Sequence, residues 1–297
     1  MQKRIESNIL LTDDDLSPQS QHCQKSFAYF MVGISSLLEY LQSPYGQVSH
    51  IILPSEYPLS PEIEKKIYHY QSTQRSKKQT SHKQVIITKA RTLEALVLSE
   101  PWHILKRKKA KPSDDRFLHR PLKECVFRVV ISLWQEKIFT DTVKDADTLV
   151  VILDHIHDPR NFGAIIRSAA FFGVRYLFIP KDRQVPLTET VVHCSRGGVG
   201  YVQVIQVVNL SRIIKRLKSL GYWILGADIC ANAENISDLT GFYDRVALIL
   251  GHEGSGLSTA VKKKCDRKVT IPGNNSSISS LNVSVAAGIL LQALSMK

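Results

Sequence analysis

Apolar and polar positions change rhythm several times along this chain. Residues 1–24 have no apolar period, and Asp13-Asp14-Asp15 followed by Ser17-Pro18-Gln19-Ser20 predicts a tail. From Phe27 the pattern becomes structured. Val32, Ile34, Leu37, Leu38 and Leu41 fall at helical spacing and end before Ser43-Pro44-Tyr45-Gly46. A strand is predicted over 48–53, stopped by Pro54. A helix follows over 61–71, with Ser60 as N-cap and Pro61 in its first position. A strand over 85–88 and a helix over 92–98 complete a small α/β domain at 25–100. Residues 101–147 read as a basic linker or insert, within which 126–134 is apolar and strand-prone.

From Thr148 the alternation is regular. Apolar runs at 149–153, 174–179, 201–207, 222–226, 246–250 and 268–271 predict buried strands. Helical segments at 162–172, 211–220 and 257–265 lie between most of them. Continuous apolar strands alternating with helices predict an α/β domain over 148–297, a mainly parallel sheet with helices on both faces. The closing helix, predicted over 281–294, is apolar nearly all round through Val283, Ala286, Ala287, Ile289, Leu290, Leu291 and Leu294. Such a helix has to be buried or shared with a partner.

Charge adds a partner class. The 297 residues carry a formal net charge of +12, which points to a polyanion or an anionic membrane. Residues 65–128 hold 17 Lys and Arg against 5 Asp and Glu, an excess equal to that of the whole chain. Basic charge confined to one stretch, with Lys106-Arg107-Lys108-Lys109 at its densest, favours a nucleic-acid footprint over a solvated helix face. It forms no clean amphipathic helix, which sets a membrane surface aside. The longest apolar stretch, 283–291, falls well short of the ~20 residues a spanning helix needs. The start has no apolar core of a signal peptide. Five cysteines without a CxxC pair fit free thiols, so the expectation is a soluble cytosolic protein. His155, His157, His193 and His252 lack metal-ligand spacing, and no metal is expected.

Three stretches hold the candidate chemistry. Asp158-Pro159-Arg160-Asn161-Phe162-Gly163, with Arg167 further on, follows a strand and opens a helix. Asp158 suits the N-cap, and amides of the first turn together with an Arg fork suit phosphate. Leu250-Gly251-His252-Glu253-Gly254-Ser255-Gly256-Leu257 is glycine-rich but matches neither GxGxxG nor GxxxxGK[ST]. Glycine there lets backbone approach a ligand closely. The third stretch is a Gly, Asn and Ser loop after Pro272 that ends in Ser280-Leu281-Asn282-Val283-Ser284.

In order, spacing and residues, these stretches resemble the three motifs of the SpoU (TrmH) family of RNA ribose methyltransferases, over about the last half of the chain. The loop over 272–280 is one residue longer than the family's usual form, which touches the placement of Ser276 to Ser279. The resemblance implies S-adenosylmethionine as methyl donor, a C-terminal trefoil knot and a homodimer built through the last helix. It places cofactor contacts at Gly251, Ile271 and Leu281, and reacting groups at Asn161, Arg167, Glu253, Ser280 and Asn282. Arg167 becomes the residue most tied to activating the ribose 2′-hydroxyl. Guanidinium stays protonated, so orienting phosphate and stabilising a developing alkoxide suit it better than general base. Glu253 could steady its loop, bond the ribose or sit near the sulfonium.

The runs at 32–41 and 48–56 are similar to the small α/β RNA-binding domain that some members of the family have, with a dimerisation or capping domain as the other reading. The implied substrate is structured RNA, large-subunit ribosomal RNA ahead of transfer RNA. A catalytically silent RNA-binding or assembly protein of the same fold is the competing class. Retention of all five reacting groups argues against it.

Overall fold

The computed structural model describes residues 9–10, 23–54, 60–76, 86–90, 125–143, 147–239, 243–273 and 280–295. Two compact units emerge, and their main division falls between Ile131 and Ser132. The predicted helix over 92–98, the Lys106–Lys109 cluster and Ser276 to Ser279 lie outside the described residues.

The first unit contains β1 (Ile9–Leu10), β2 (Cys23–Val32) from Ser26 onward, α1 (Ile34–Gln42), β3 (Gln47–Pro54), α2 (Pro61–Ser76), β4 (Ile86–Ala90) and the first part of β5 (Val126–Gln135). Its strand order is β1-β2-β5-β3-β4, with β3 antiparallel to β5 and parallel to β4. Tyr29, Met31, Leu37, Tyr40, Ile51, Leu53 and Phe127 form its core. Strand β2 corrects two expectations: it begins inside the predicted tail, and it contains Val32, which helical spacing had joined to α1. The break falls at Gly33, whose φ of 103° ends the strand and whose amide bonds the Cys125 carbonyl at 2.9 Å. At α2, Ser60 is the predicted cap; its hydroxyl accepts from the Ile63 amide at 3.4 Å.

The second unit continues with α3 (Glu136–Thr142), β6 (Leu149–Asp154), α4 (Pro159–Phe171), β7 (Tyr176–Pro180), α5 (Glu189–Ser195), β8 (Gln203–Val207), α6 (Leu210–Ser219) and β9 (Trp223–Ala227). Then come β10 (Glu234–Asn235), β11 (Val246–Gly251), α7 (Thr259–Lys262), β12 (Arg267–Thr270) and α8 (Val283–Ser295). The end of β5 opens an all-parallel order, β5-β8-β7-β6-β11-β9-β12-β10. The parallel sheet read from the apolar runs is therefore observed. All of β7 and β11 is buried, as is β6 after Leu149. Successive side chains alternate faces. Val150, Ile152, Ala247 and Ile249 pack against Phe139 of α3, Ile213 and Leu217 of α6, and Val261 of α7. The opposite face receives α8, which packs on α4 and β11, while α4 also packs on α5.

Three helices differ from expectation, one of them α3, which falls inside the stretch 101–147 read as a linker or insert. Helix α7 holds four residues of the nine predicted, because long-range partners claim both of its ends. The Ser258 amide is bonded by Asp154 Oδ2 at 2.6 Å, and the Asp266 carboxylate takes the Ile224 amide at 2.9 Å. Cys265 packs where a Cβ on Gly226 would stand, 2.6 Å from its sulfur. Burial, reinforced by neighbouring Asp266, pushes this thiol up to about 11, so it stays an uncharged packing group. Helix α5 was not predicted; Thr188 starts it by accepting from the Val191 amide at 3.4 Å.

Candidate active site

From β6 the chain winds to β7 and β8 on one side, while β11, β9 and β12 lie on the other. The point where an open parallel sheet reverses direction leaves a crevice at the C-terminal ends of its strands. The first two predicted stretches start there, after β6 and at the end of β11. The third follows β12 and enters α8.

The loop after β6 is built by local chemistry. Asp154, a carboxylate closing an otherwise apolar strand, is fully buried; its Oδ1 lies 2.7 Å from His155 Nδ1 while Oδ2 holds the Ser258 amide. His155 adopts a φ of 67°, which turns the chain out of the sheet. Asp158 is the predicted N-cap of α4, its Oδ1 accepting from the Arg160 amide at 2.8 Å, and Pro159 takes the first helical position.

One hydrogen-bond chain then joins all three stretches. The Ser284 amide and hydroxyl both donate to Asn282 Oδ1, at 2.8 and 2.6 Å. Asn282 Nδ2 donates to Asn161 Oδ1 at 3.1 Å, and Asn161 Nδ2 donates to Glu253 Oε1 at 2.9 Å. The direction of the chain is forced from its two ends. A backbone N–H can only donate and a carboxylate only accepts, so both amides between them have one workable orientation. Asn161 is buried while Glu253 is exposed, which leaves the carboxylate facing outward from a buried support.

Arg167 lies six residues beyond Asn161 on α4 and is exposed. Its Nη1 lies 3.5 Å from the Arg196 carbonyl, and among the described residues no carboxylate pairs with it. Its backbone is tightly covered: a Cβ on Gly198 would stand 3.0 Å from Arg167 Cα. The turn responsible, Arg196 to Gly200, was missed by sequence reasoning, though three glycines in four residues after α5 were a visible signal. Asp154 was likewise missed, and its signal was the lone charge at the end of an apolar run.

Gly251 is the last residue of β11. A Cβ there would stand 2.4 Å from Gly256 C and 2.5 Å from Leu257 N, so the chain folds back on itself with no room for any other residue. Ile271 follows β12 and is half-buried; Ser280 and Leu281 are exposed, with Leu281 at 47%. The hydrogen-bond chain thus unites Asn161, Glu253 and Asn282, and does not include Arg167, Ser280, Gly251, Ile271 or Leu281. Among the described residues, no group of three His, Cys, Asp or Glu side chains is placed to hold a metal ion, and no helix is long and apolar enough to cross a membrane.

Comparison with known proteins gives a consistent picture. Residues 148–292 match the SpoU rRNA Methylase family. A Staphylococcus haemolyticus protein assigned to the TrmH family of tRNA/rRNA methyltransferases is 42% identical over 155 residues, 52% of this chain and 61% of its own length. YacO of Bacillus subtilis, assigned to the same family, is 38% identical over 148 residues, 50% of this chain and 58% of its own. These matches therefore span about three fifths of the relatives' length. Two solved structures share the fold. The SpoU methyltransferase AviRb from Streptomyces viridochromogenes, in complex with the cofactor AdoMet, has a TM-score of 0.59 at 21% identity, covering 90% of this chain and 88% of its own. The AdoMet-bound rRNA methyltransferase from Sinorhizobium meliloti has a TM-score of 0.61 at 16% identity, covering 89% and 85%.

Proposed function

Because residues 148–292 match the SpoU rRNA Methylase family, we propose that the chain transfers a methyl group from S-adenosylmethionine to a ribose 2′-hydroxyl of structured RNA, with large-subunit ribosomal RNA as substrate. The observation that supports this most is the hydrogen-bond chain from Ser284 through Asn282 and Asn161 to Glu253. It gathers three stretches, the outermost 121 residues apart, at the mouth of the parallel sheet. A silent binding protein has no use for that arrangement beside an exposed arginine.

The residues fit the cofactor in kind. The fold-back at Gly251 presents backbone rather than side chain, and Ile271 and Leu281 offer apolar surface suited to adenine. Bound there, S-adenosylmethionine supplies an electrophilic methyl. The chain's own residues do the rest. Asn161 and Asn282 hold Glu253 in place, Ser280 and Asn282 face the ribose, and Arg167 orients a phosphate and steadies charge on the 2′-oxygen. Positioning supplies much of the catalysis, since in-line displacement depends on placing the hydroxyl against the methyl.

Two measurements test this reading. Calorimetry on the full chain in EDTA is expected to show S-adenosylmethionine binding, because methyl transfer from a sulfonium needs no Lewis acid; absence of binding overturns the reading. Mapping ribose methylation on total RNA from cells with and without the protein then identifies the substrate, and a lost mark on transfer RNA would replace ribosomal RNA in the proposal.

We also propose a homodimer through α8. On α8, Val285 and Ile289, spaced by four, are 51% and 39% exposed, while Ala287, Leu290 and Leu291 are buried within the unit. The helix thus keeps an apolar stripe uncovered, which a second copy buries by two-fold symmetry. Light scattering at micromolar concentration is expected to give a dimer, and Val285→Lys with Ile289→Lys a monomer. A native chain that is monomeric at full methylation activity excludes this interface.

A further inference from the structure

We infer that His252 is a positioning residue: its imidazole, accepting at Nδ1, folds the 252–256 turn that presents Glu253 to Asn161. The importance of this for turnover rests on the reading of Glu253 as part of the reacting centre; the geometry of the turn does not. His252 Nδ1 accepts from the Gly254 amide at 3.0 Å and from the Ser255 amide at 3.1 Å. Both donors are backbone N–H groups, so Nδ1 holds no proton and the neutral ring keeps its proton at Nε2.

The backbone closes the same turn. The His252 amide donates to the Gly256 carbonyl at 3.1 Å, and the Gly256 amide donates to the His252 carbonyl at 2.9 Å. Gly256 reaches that position with a φ of 66°. Glu253, Gly254 and Ser255, between these two residues, are all exposed. No apolar packing therefore shapes the turn from inside, and the imidazole takes that place. Without it the amides of Gly254 and Ser255 turn to water, and Glu253 loses its fixed approach to the Asn161 amide.

The ring also meets the first motif. His157, one residue before the Asp158 cap, lies edge-on to His252 with centroids 4.6 Å apart and planes at 78°. His157 Nε2 is 3.0 Å from the Arg183 carbonyl, which anchors it in turn. One side chain thus shapes the second motif's turn and braces it against the loop that starts α4. An asparagine has an oxygen that can accept from the amide two residues on, as in an Asx turn. Alanine has no acceptor at all.

Long-range proton–nitrogen NMR on the full-length protein at neutral pH decides the geometry. The expected spectrum for His252 is the neutral Nε2–H tautomer; a ring protonated at Nδ1, or a cationic ring, overturns the inference. Kinetics decide the role, with in vitro transcribed large-subunit ribosomal RNA and S-adenosylmethionine as substrates. His252→Ala is expected to lower turnover at saturating RNA about tenfold or more, as two lost hydrogen bonds would. His252→Asn is expected to stay within about threefold of the native chain, with RNA KM little changed in both. Native-like turnover in His252→Ala, or equal losses in the two variants, shows that an acceptor is not what the ring supplies. A native protein that methylates no RNA while His252 shows the Nε2–H tautomer refutes the proposed function and leaves the turn as described.

Discussion

Arg167→Ala is expected to lower turnover about a hundred- to a thousandfold, the range found when one preorganised donor to a developing oxyanion is removed. S-adenosylmethionine binding should change little. The expectation follows from what the side chain does in the free protein. Its backbone is clamped by the Gly198 turn, yet among the described residues its guanidinium bonds only the Arg196 carbonyl, at 3.5 Å. A donor fork on a fixed base with its donors unspent is built for an anionic partner. Single-turnover methyl transfer to RNA, with calorimetry of the cofactor in parallel, separates the two effects. Arg167→Lys should rescue poorly, because an ammonium lacks the planar fork. Near-normal turnover in the alanine variant removes Arg167 from the reacting centre.

Asn161→Asp is expected to be nearly as damaging, for a different reason. The substitution keeps the shape and still accepts from Asn282, but replaces the donor to Glu253 with a second carboxylate at the 2.9 Å contact. Two carboxylates at that distance do not both ionise freely, so the pair holds a proton to higher pH than either group alone. At neutral pH repulsion pushes the Glu253 turn away, and a loss of turnover on the order of a hundredfold is expected, as for other single preorganised contacts. The sign with pH is distinctive. As pH falls and the pair takes up one proton, an O–H donor to Glu253 is restored, so the variant's activity relative to the native chain should rise toward acid. A pH–rate series on both proteins checks this. Activity that is native-like, or a ratio that falls toward acid, breaks the link between the hydrogen-bond chain and catalysis.

The outcome at α7 shows where sequence reading stops. Residues 257–265 have helical spacing, and nothing local says that Asp154, 104 residues earlier, captures the Ser258 amide. Strand β2 was lost for a related reason. The apolar spacing over 32–41 runs across Gly33, and only the positive φ there divides strand from helix. By contrast Asp158 was legible as a cap because it bonds an amide two residues away.

The sequence by itself determined what depends on near neighbours. Apolar runs such as 246–250, buried on both faces, demand a parallel sheet with helices on either side, and the cap, the N1 proline and the glycines of the second motif follow from local backbone needs. Through the resemblance of three ordered stretches to the family's motifs, it also marked Asn161, Arg167, Glu253, Ser280 and Asn282 as a set. Only the tertiary structure decided how they meet: that Asn161 stands between Glu253 and Asn282, that His252 shapes the turn from within, and that α8 buries Leu290 while leaving Ile289 uncovered. Such contacts depend on which strand lies beside which and where each one ends. Burial periodicity averages over that information, because it records how often a chain turns inward and not what it meets there.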